Sequence, residues 1–247
     1  MLAADQDDVQ AARRLRHQVF STEFGAITPG PDGLDADDFD DICDHLIVWH
    51  GAAATAETDF TGKRAIATYR LLPPHANDGT PLACGLYSAG EYDLTPLEGL
   101  LDRTVEAGRS CVAAEHRSGT AVSLLWGGIT RYMHLSGYRY LIGCASVPLT
   151  DGGGNAAAFA DLAAVKHAAS PELCCEPHRP FDTDGIGRPH RAAIPSLLRG
   201  YLRLGAVVCG PPALDPEFGT ADFLVLLDLQ RADQRYLRYF LGSGAVR

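Results

Sequence analysis

Seven aspartates crowd one stretch of the chain: Asp32, Asp35, Asp37, Asp38, Asp40, Asp41 and Asp44. Three arginines elsewhere, Arg16, Arg70 and Arg109, sit among residues with helical or strand patterning. A guanidinium buried there needs anionic partners. The economical arrangement sets these arginines against the acidic run and Glu106, as a charged floor. One of them could instead grip a ligand carboxylate through two parallel hydrogen bonds. The plain alternative is a set of surface ion pairs, which contribute little. Glu106 itself reads equally as a helix-end residue paired with Arg103 or Arg109.

A second chemical feature is the stretch from Ser110 to Val122, which reads as a strand end, a short turn and the start of a helix. Arg117, Ser118, Gly119, Thr120 and Ala121 form the turn. Small residues there would let backbone N–H groups at the helix N-terminus approach a phosphate, and Arg117 could add a charge-assisted contact. An ordinary capped strand-to-helix turn fits the same residues. No nucleophile triad is evident. Cys111 and Cys144 lie in apolar strand-like runs without a histidine partner in the sequence pattern, where a thiol is usually inert. Cys174-Cys175-Glu176-Pro177-His178 lacks the second ligand pair that a metal centre needs; no metal is expected.

The elements that must position these residues follow from periodicity. Apolar Val9, Ala12, Leu15, Val19 and Phe20 predict a helix over 6–23, followed by a Gly-, Pro- and Asp-rich loop over 25–44. Strands are expected at 46–49, 64–72, 109–114, 138–147, 206–209 and 223–229. Helices are expected at 97–105, 122–135, 155–168 and 193–204. The order implies an α+β plan around one mixed sheet.

Composition narrows the class. The chain has 247 residues, 46% hydrophobic, with a net charge of -10. That acidity argues against nucleic acid as a partner. No apolar run approaches the roughly 20 residues of a spanning helix, and the acidic start is unlike a secretory signal, so the expected location is cytoplasmic. A basic amphipathic helix expected over 191–204, with Arg191, Arg199 and Arg203, could dock an acidic carrier protein or place the chain peripherally at the inner face of a membrane.

Several motifs together carry a family resemblance. Arg117-Ser-Gly119-Thr-Ala121 resembles the pyrophosphate-binding turn of GNAT acyltransferases, with its glycine one position early. Arg16-His-Gln-Val-Phe20, Asp35-Ala-Asp37-Asp-Phe-Asp40, Ala67-Thr-Tyr-Arg70-Leu-Leu-Pro73 and Glu106-Ala-Gly-Arg109-Ser-Cys-Val112 are similar, in order and spacing, to acyl-homoserine-lactone synthases. The wording of Cys43-Asp-His-Leu-Ile-Val48, Leu125-Trp-Gly-Gly-Ile129, Gly143-Cys-Ala-Ser146 and Arg199-Gly-Tyr-Leu-Arg-Leu-Gly-Ala206 resembles bacterial ornithine Nα-acyltransferases of ornithine-lipid synthesis. Long-chain N-acyl amino acid synthases are a third relative. The likeness runs from about Arg13 to Phe240.

The resemblance implies a GNAT-like (acyl-CoA N-acyltransferase) α+β fold: a mixed, mostly antiparallel central sheet flanked by helices. It would be one domain over 1–247, with a helical and loop extension around 148–204. It implies transfer of a long-chain 3-hydroxy fatty acyl group from acyl-CoA or acyl carrier protein (ACP) to the α-amine of an amino acid such as ornithine, with no permanently bound cofactor. Glu106 and Arg109 are then the catalytic candidates, Glu106 as general base. Arg16, Phe20, Asp37, Asp40 and Arg70 are the acceptor-binding candidates. Backbone at Val112 and Ala114 would meet the oxyanion, and Arg117, Ser118, Gly119, Thr120 and Ala121 the pantetheine or pyrophosphate. Synthesis of an N-acyl amino acid or acyl-homoserine-lactone signal, and a catalytically silent acyl-carrier sensor, are the competing readings.

Overall fold

Continuous apolar runs become buried strands, and the helical patterns lie over them. The computed structural model describes residues 1–24, 30–31, 33–51, 63–75, 85–117 and 119–241. Among these, one sheet contains β1 (Asp44–His50), β2 (Arg64–Leu72), β3 (Thr104–Val112), β4 (Tyr140–Pro148), β5 (Val207–Val208), β6 (Ala213–Asp215) and β7 (Thr220–Asp228). The strand order is β1-β2-β3-β4-β7-β5, with β6 also pairing β7. Every pairing is antiparallel except β3 with β4. The helices are α1 (Gln6–Phe24), α2 (Thr120–Ser136), α3 (Gly154–Lys166), α4 (Ser196–Leu204) and α5 (Gln234–Leu241). The expected mixed, mostly antiparallel sheet flanked by helices is present, and no helix among the described residues is long and apolar enough to cross a membrane.

Alternation along the strands assigns the two faces. Leu46 and Val48 of β1 share a buried cluster with Leu125, Trp126 and Ile129 of α2, whereas Ile47 packs with Leu15 and Val19 of α1. On β7, Phe223 meets Phe159 of α3 edge-on at 4.6 Å, while Leu224 and Leu226 face Tyr92 and Leu97. Trp126 meets Tyr201 of α4 edge-on, also at 4.6 Å. Gly200 makes that approach feasible, because a Cβ there would sit 2.1 Å from the Trp126 indole nitrogen.

Most element ends differ from expectation by a few residues, and two differences matter for the site. The helix expected over 97–105 is a 3₁₀ turn at Thr95–Arg103; β-branched Thr104 and Val105 instead begin β3, pairing with Tyr140 and Leu141. Glu106 therefore lies inside a strand. The helix expected over 193–204 begins only at Ser196, because extended Pro195 caps it. Arg191 is therefore off the helix. The short β6 and the C-terminal α5 have no counterpart among the expected elements.

The feature that shapes the site is where β3 leaves β4. Their ladder covers only Thr104↔Tyr140, Val105↔Leu141 and Glu106↔Ile142. Beyond it, β4 stays with β7 as far as Pro148. On its other edge β3 carries a bulge: Thr68 opposes Cys111 and Arg70 opposes Gly108, leaving Arg109 and Ser110 across from Tyr69. Arg109 takes the left-handed backbone region, with φ of 48°. Such an extra residue bends a strand, and here β3 and β4 open into a wedge. At its apex a Cβ on Gly143 would lie 2.3 Å from the Ala107 carbonyl oxygen, so only glycine allows that approach.

Candidate active site

The wedge holds a cavity of about 410 Å³. Residues 107–112 of β3 form one wall and Cys144, Ala145 and Ser146 of β4 the other, with Phe20, Tyr87, Phe218 and α4 residues around the rim. Glu106 lines it at the apex. It is 5% exposed, and its two carboxylate oxygens accept the backbone N–H groups of Tyr87 (2.6 Å) and Ser88 (2.8 Å). Burial raises its pKa; those hydrogen bonds and the Arg70 charge temper the rise. The residue is thus a fixed carboxyl group with increased affinity for a proton.

The three arginines meet the acidic run, as expected of a charged floor. Arg16 reaches Asp35 Oδ2 at 2.6 Å and Asp40 Oδ2 at 2.7 Å. Arg70 reaches Asp37 Oδ1 at 2.5 Å and Asp40 Oδ1 at 3.2 Å. Arg109 lies 3.6 Å from Asp35 and 3.5 Å from Asp37. Asp37 and Asp40 also form a reciprocal capping box around the 3₁₀ turn Asp38–Asp41. Burial alone would raise the Asp40 pKa, but Arg16 and Arg70 hold it down at about 2. Of the acceptor-binding candidates, Arg16, Asp37 and Asp40 lie outside the cavity lining. Arg16 is committed to Asp35 and Asp40, Asp37 to Arg70 and Arg109, and Asp40 has a side-chain exposure of 0%. Arg70 and Arg109 do line it. Glu106 makes no direct pair with the arginines among the described residues. Arg109 has the loosest ion pairs of the three; its Nε has no hydrogen-bond partner, and its guanidinium faces the rings of Tyr87 (5.5 Å) and Phe218 (5.3 Å).

On the opposite side of the wedge, α2 begins at Gly119, whose φ is 90° and which has no side-chain cap. The amides of its first turn, at Thr120 and Ala121, have no intrahelical acceptor. By contrast, Asp151 accepts the amides of Gly153 and Asn155 at the start of α3. Arg117 lines the cavity and donates to the Val112 carbonyl at 3.0 and 3.1 Å, and to Glu23. Gly119, Thr120, Ala121 and Ala114 lie outside the lining, and Ser118 is outside the described residues. The Ala113 N–H donates to Ile66 of β2. Alternation therefore turns the Val112 amide away from β2, towards the side β4 has vacated.

Sequence reasoning missed a third group. Glu91, Asp215 and Asp222 also line the cavity, and one carboxylate oxygen from each lies within 4.8 Å of the others. Thr220 donates to Asp222 at 2.7 Å, while Asp215 accepts the amides of Glu217 and Phe218. Glu91 Oε2 is shut off from solvent without a partner. Burial pushes Glu91 up to about 8 and Asp222 up to about 6, with nearby carboxylates adding to both. Residues from three separate loops and strands meet here, so no local spacing could reveal them. Tyr69 and Tyr201, hydroxyls 2.8 Å apart, complete the buried lining.

Comparison with known proteins agrees with this fold. Residues 15–127 match the acetyltransferase (GNAT) domain. The chain is 35% identical to the L-ornithine Nα-acyltransferase of Brucella abortus, over 100% of this chain and 89% of that protein. It is 34% identical to the enzyme of the same name from Rhodobacter capsulatus, over 97% and 93%. Among solved structures, TofI in a ternary complex with an inhibitor and MTA shares the fold at a TM-score of 0.52 and 14% identity, over 96% of this chain and 92% of that one. BjaI, a CoA-dependent acyl-homoserine lactone synthase solved with MTA, does so at 0.51 and 16%, over 95% and 81%.

Proposed function

Because the chain belongs to the L-ornithine Nα-acyltransferase family and is an acyltransferase of the GNAT fold, we propose that it transfers a fatty acyl group from a CoA or ACP thioester to the α-amine of ornithine. The observation that carries this reading is the wedge itself. It opens a β-strand edge to an extended thioester arm, with a buried, proton-hungry carboxyl at its apex.

The arm of the donor lies between β3 and β4 and takes up backbone groups that lost their ladder partners. The open first turn of α2 and Arg117 face its phosphate; Arg117 exchanges its contact with Glu23 for that stronger acceptor. The Val112 N–H meets the carbonyl oxygen where negative charge develops. The acceptor nitrogen attacks the carbonyl carbon and the C–S bond breaks. Glu106, directly or through water, takes the proton that the nitrogen loses, and the thiolate leaves. Arg109 is the group for the acceptor's α-carboxylate, since it lines the cavity and holds Asp35 and Asp37 only at 3.6 and 3.5 Å. Asp35, Asp37 and Asp40 are positioning residues that hold Arg70 and Arg109 in place.

ACP docking belongs to α4, whose exposed Arg199 and Arg203 stand beside the cavity-lining Ser196 and Leu197. An acidic carrier surface is complementary to that edge.

Glu106→Gln tests the base. Turnover should fall by about 10²- to 10⁴-fold, while acyl-CoA binding, read by calorimetry, is retained. Unchanged turnover removes Glu106 from this role.

A further inference from the structure

The two acidic groups of this protein differ in one respect: what neutralises them. Asp35, Asp37 and Asp40 are matched by Arg16, Arg70 and Arg109. Among the described residues, Glu91, Asp215 and Asp222 make no ion pair. The cationic side chains lining their cavity, Arg70, Arg109 and Arg117, are turned to other acids. His178 and Arg179 line a smaller neighbouring pocket that shares Glu91 and Asp215, yet neither forms an ion pair with them. The trio is therefore short of a positive charge inside a cavity that admits a ligand.

Two observations point to that ligand, one within the cluster and one across the cavity. Glu91 Oε2 is buried and unpartnered. Across the same cavity, the Arg109 side chain is only 10% exposed and leaves its Nε unpartnered. Tyr87 and Phe218 stack on that guanidinium, and both rings also line the cavity. The cavity thus has a cationic group for a carboxylate and, separately, an anionic group for an ammonium. An alkylammonium carries three N–H donors, and the trio offers one carboxylate for each.

We infer that Glu91, Asp215 and Asp222 receive the side-chain ammonium of a diamino-acid acceptor and so set the enzyme's selectivity for diamines over monoamines. This rests on the acyl-transfer reading above. The α-carboxylate lies on Arg109, the α-amine beside Glu106 and the thioester, and the distal ammonium on the trio. A monoamino acid of the same skeleton leaves the trio without its cation, and loses the binding that a buried charge pair supplies.

The test compares ornithine with norvaline, which has the same carbon skeleton and no side-chain amine, at fixed acyl-thioester concentration. The intact protein should prefer ornithine by roughly 10- to 100-fold in kcat/KM. Glu91→Gln and Asp215→Asn should each shrink that ratio towards one, chiefly by raising the KM for ornithine. Circular dichroism checks folding, and the strand-edge Asp215→Asn answers the question if Glu91→Gln fails to fold. A ratio near one in the unaltered protein, or folded variants that slow both acceptors equally, overturns the inference while leaving acyl transfer standing. The same assay in a chelator separates the other source of positive charge: ornithine preference that disappears there and returns with a divalent cation assigns the trio to a metal and overturns it too. No acylation of any amine overturns both readings.

Discussion

The arginine-filled acidic cage and the bare acidic trio are built from the same side chains in one molecule, yet physics gives them opposite tasks. In the cage each carboxylate accepts hydrogen bonds from a buried guanidinium, and Asp40 stays ionised down to about pH 2. In the trio, carboxylates face one another in a cavity, and burial makes Glu91 hold a proton up to about pH 8. A self-satisfied charge network is architecture, whereas an unsatisfied one beside a cavity is free to recognise something. The density of aspartates in a sequence does not separate these cases; the location of the cations does.

The largest expected effect comes from breaking the cage. Asp40→Ala strands Arg16 and Arg70 without their shared partner, which should cost about 3–5 kcal/mol in urea unfolding. Glu91→Gln removes a mismatch, and should raise the melting temperature at pH 8. A comparable loss of stability in both variants would erase the distinction.

The two groups should also respond to pH with opposite sign. Asp40 has a folded pKa lowered from 3.8, so its contribution is complete above that value and disappears as pH falls towards 2. Glu91 has a folded pKa raised from 4.5. The folded state then binds the extra proton between 4.5 and 8, and stability declines as pH rises through that window. Melting scans of the unaltered protein and Glu91→Gln check this: the decline over pH 5–8 should flatten in the variant and persist if Glu91 is not its source.

The smallest effect concerns the strained corner that aims Arg109. Since its φ of 48° suits glycine, Arg109→Gly should be about 1 kcal/mol more stable than Arg109→Ala, although both lose the guanidinium. Equal stabilities would mean that the bulge relaxes without cost.

Much of this architecture was legible in the residues. Arg64–Leu72 and the helix around Leu125 follow their periodicity, and the guanidiniums of Arg16, Arg70 and Arg109 had to find the acidic run because burial demanded it. What was not legible depends on tertiary geometry. The aspartates have ordinary acidic-loop spacing, and only the fold shows that Asp35, Asp37 and Asp40 are the ones the arginines take. Glu106 sits in a segment whose pattern suits helix or strand, and pairing with Ile142 decides it. Glu91, Asp215 and Asp222 are far apart in sequence, and the return of β6 and β7 alongside β4 brings them together.

The most direct test of the central claim is a product analysis. Purified protein is incubated with a long-chain acyl-CoA or acyl-ACP and a panel of free amino acids, and products are read by mass spectrometry. The account predicts an amide on the α-nitrogen of ornithine as the dominant product; no acylated amine with either donor would contradict it.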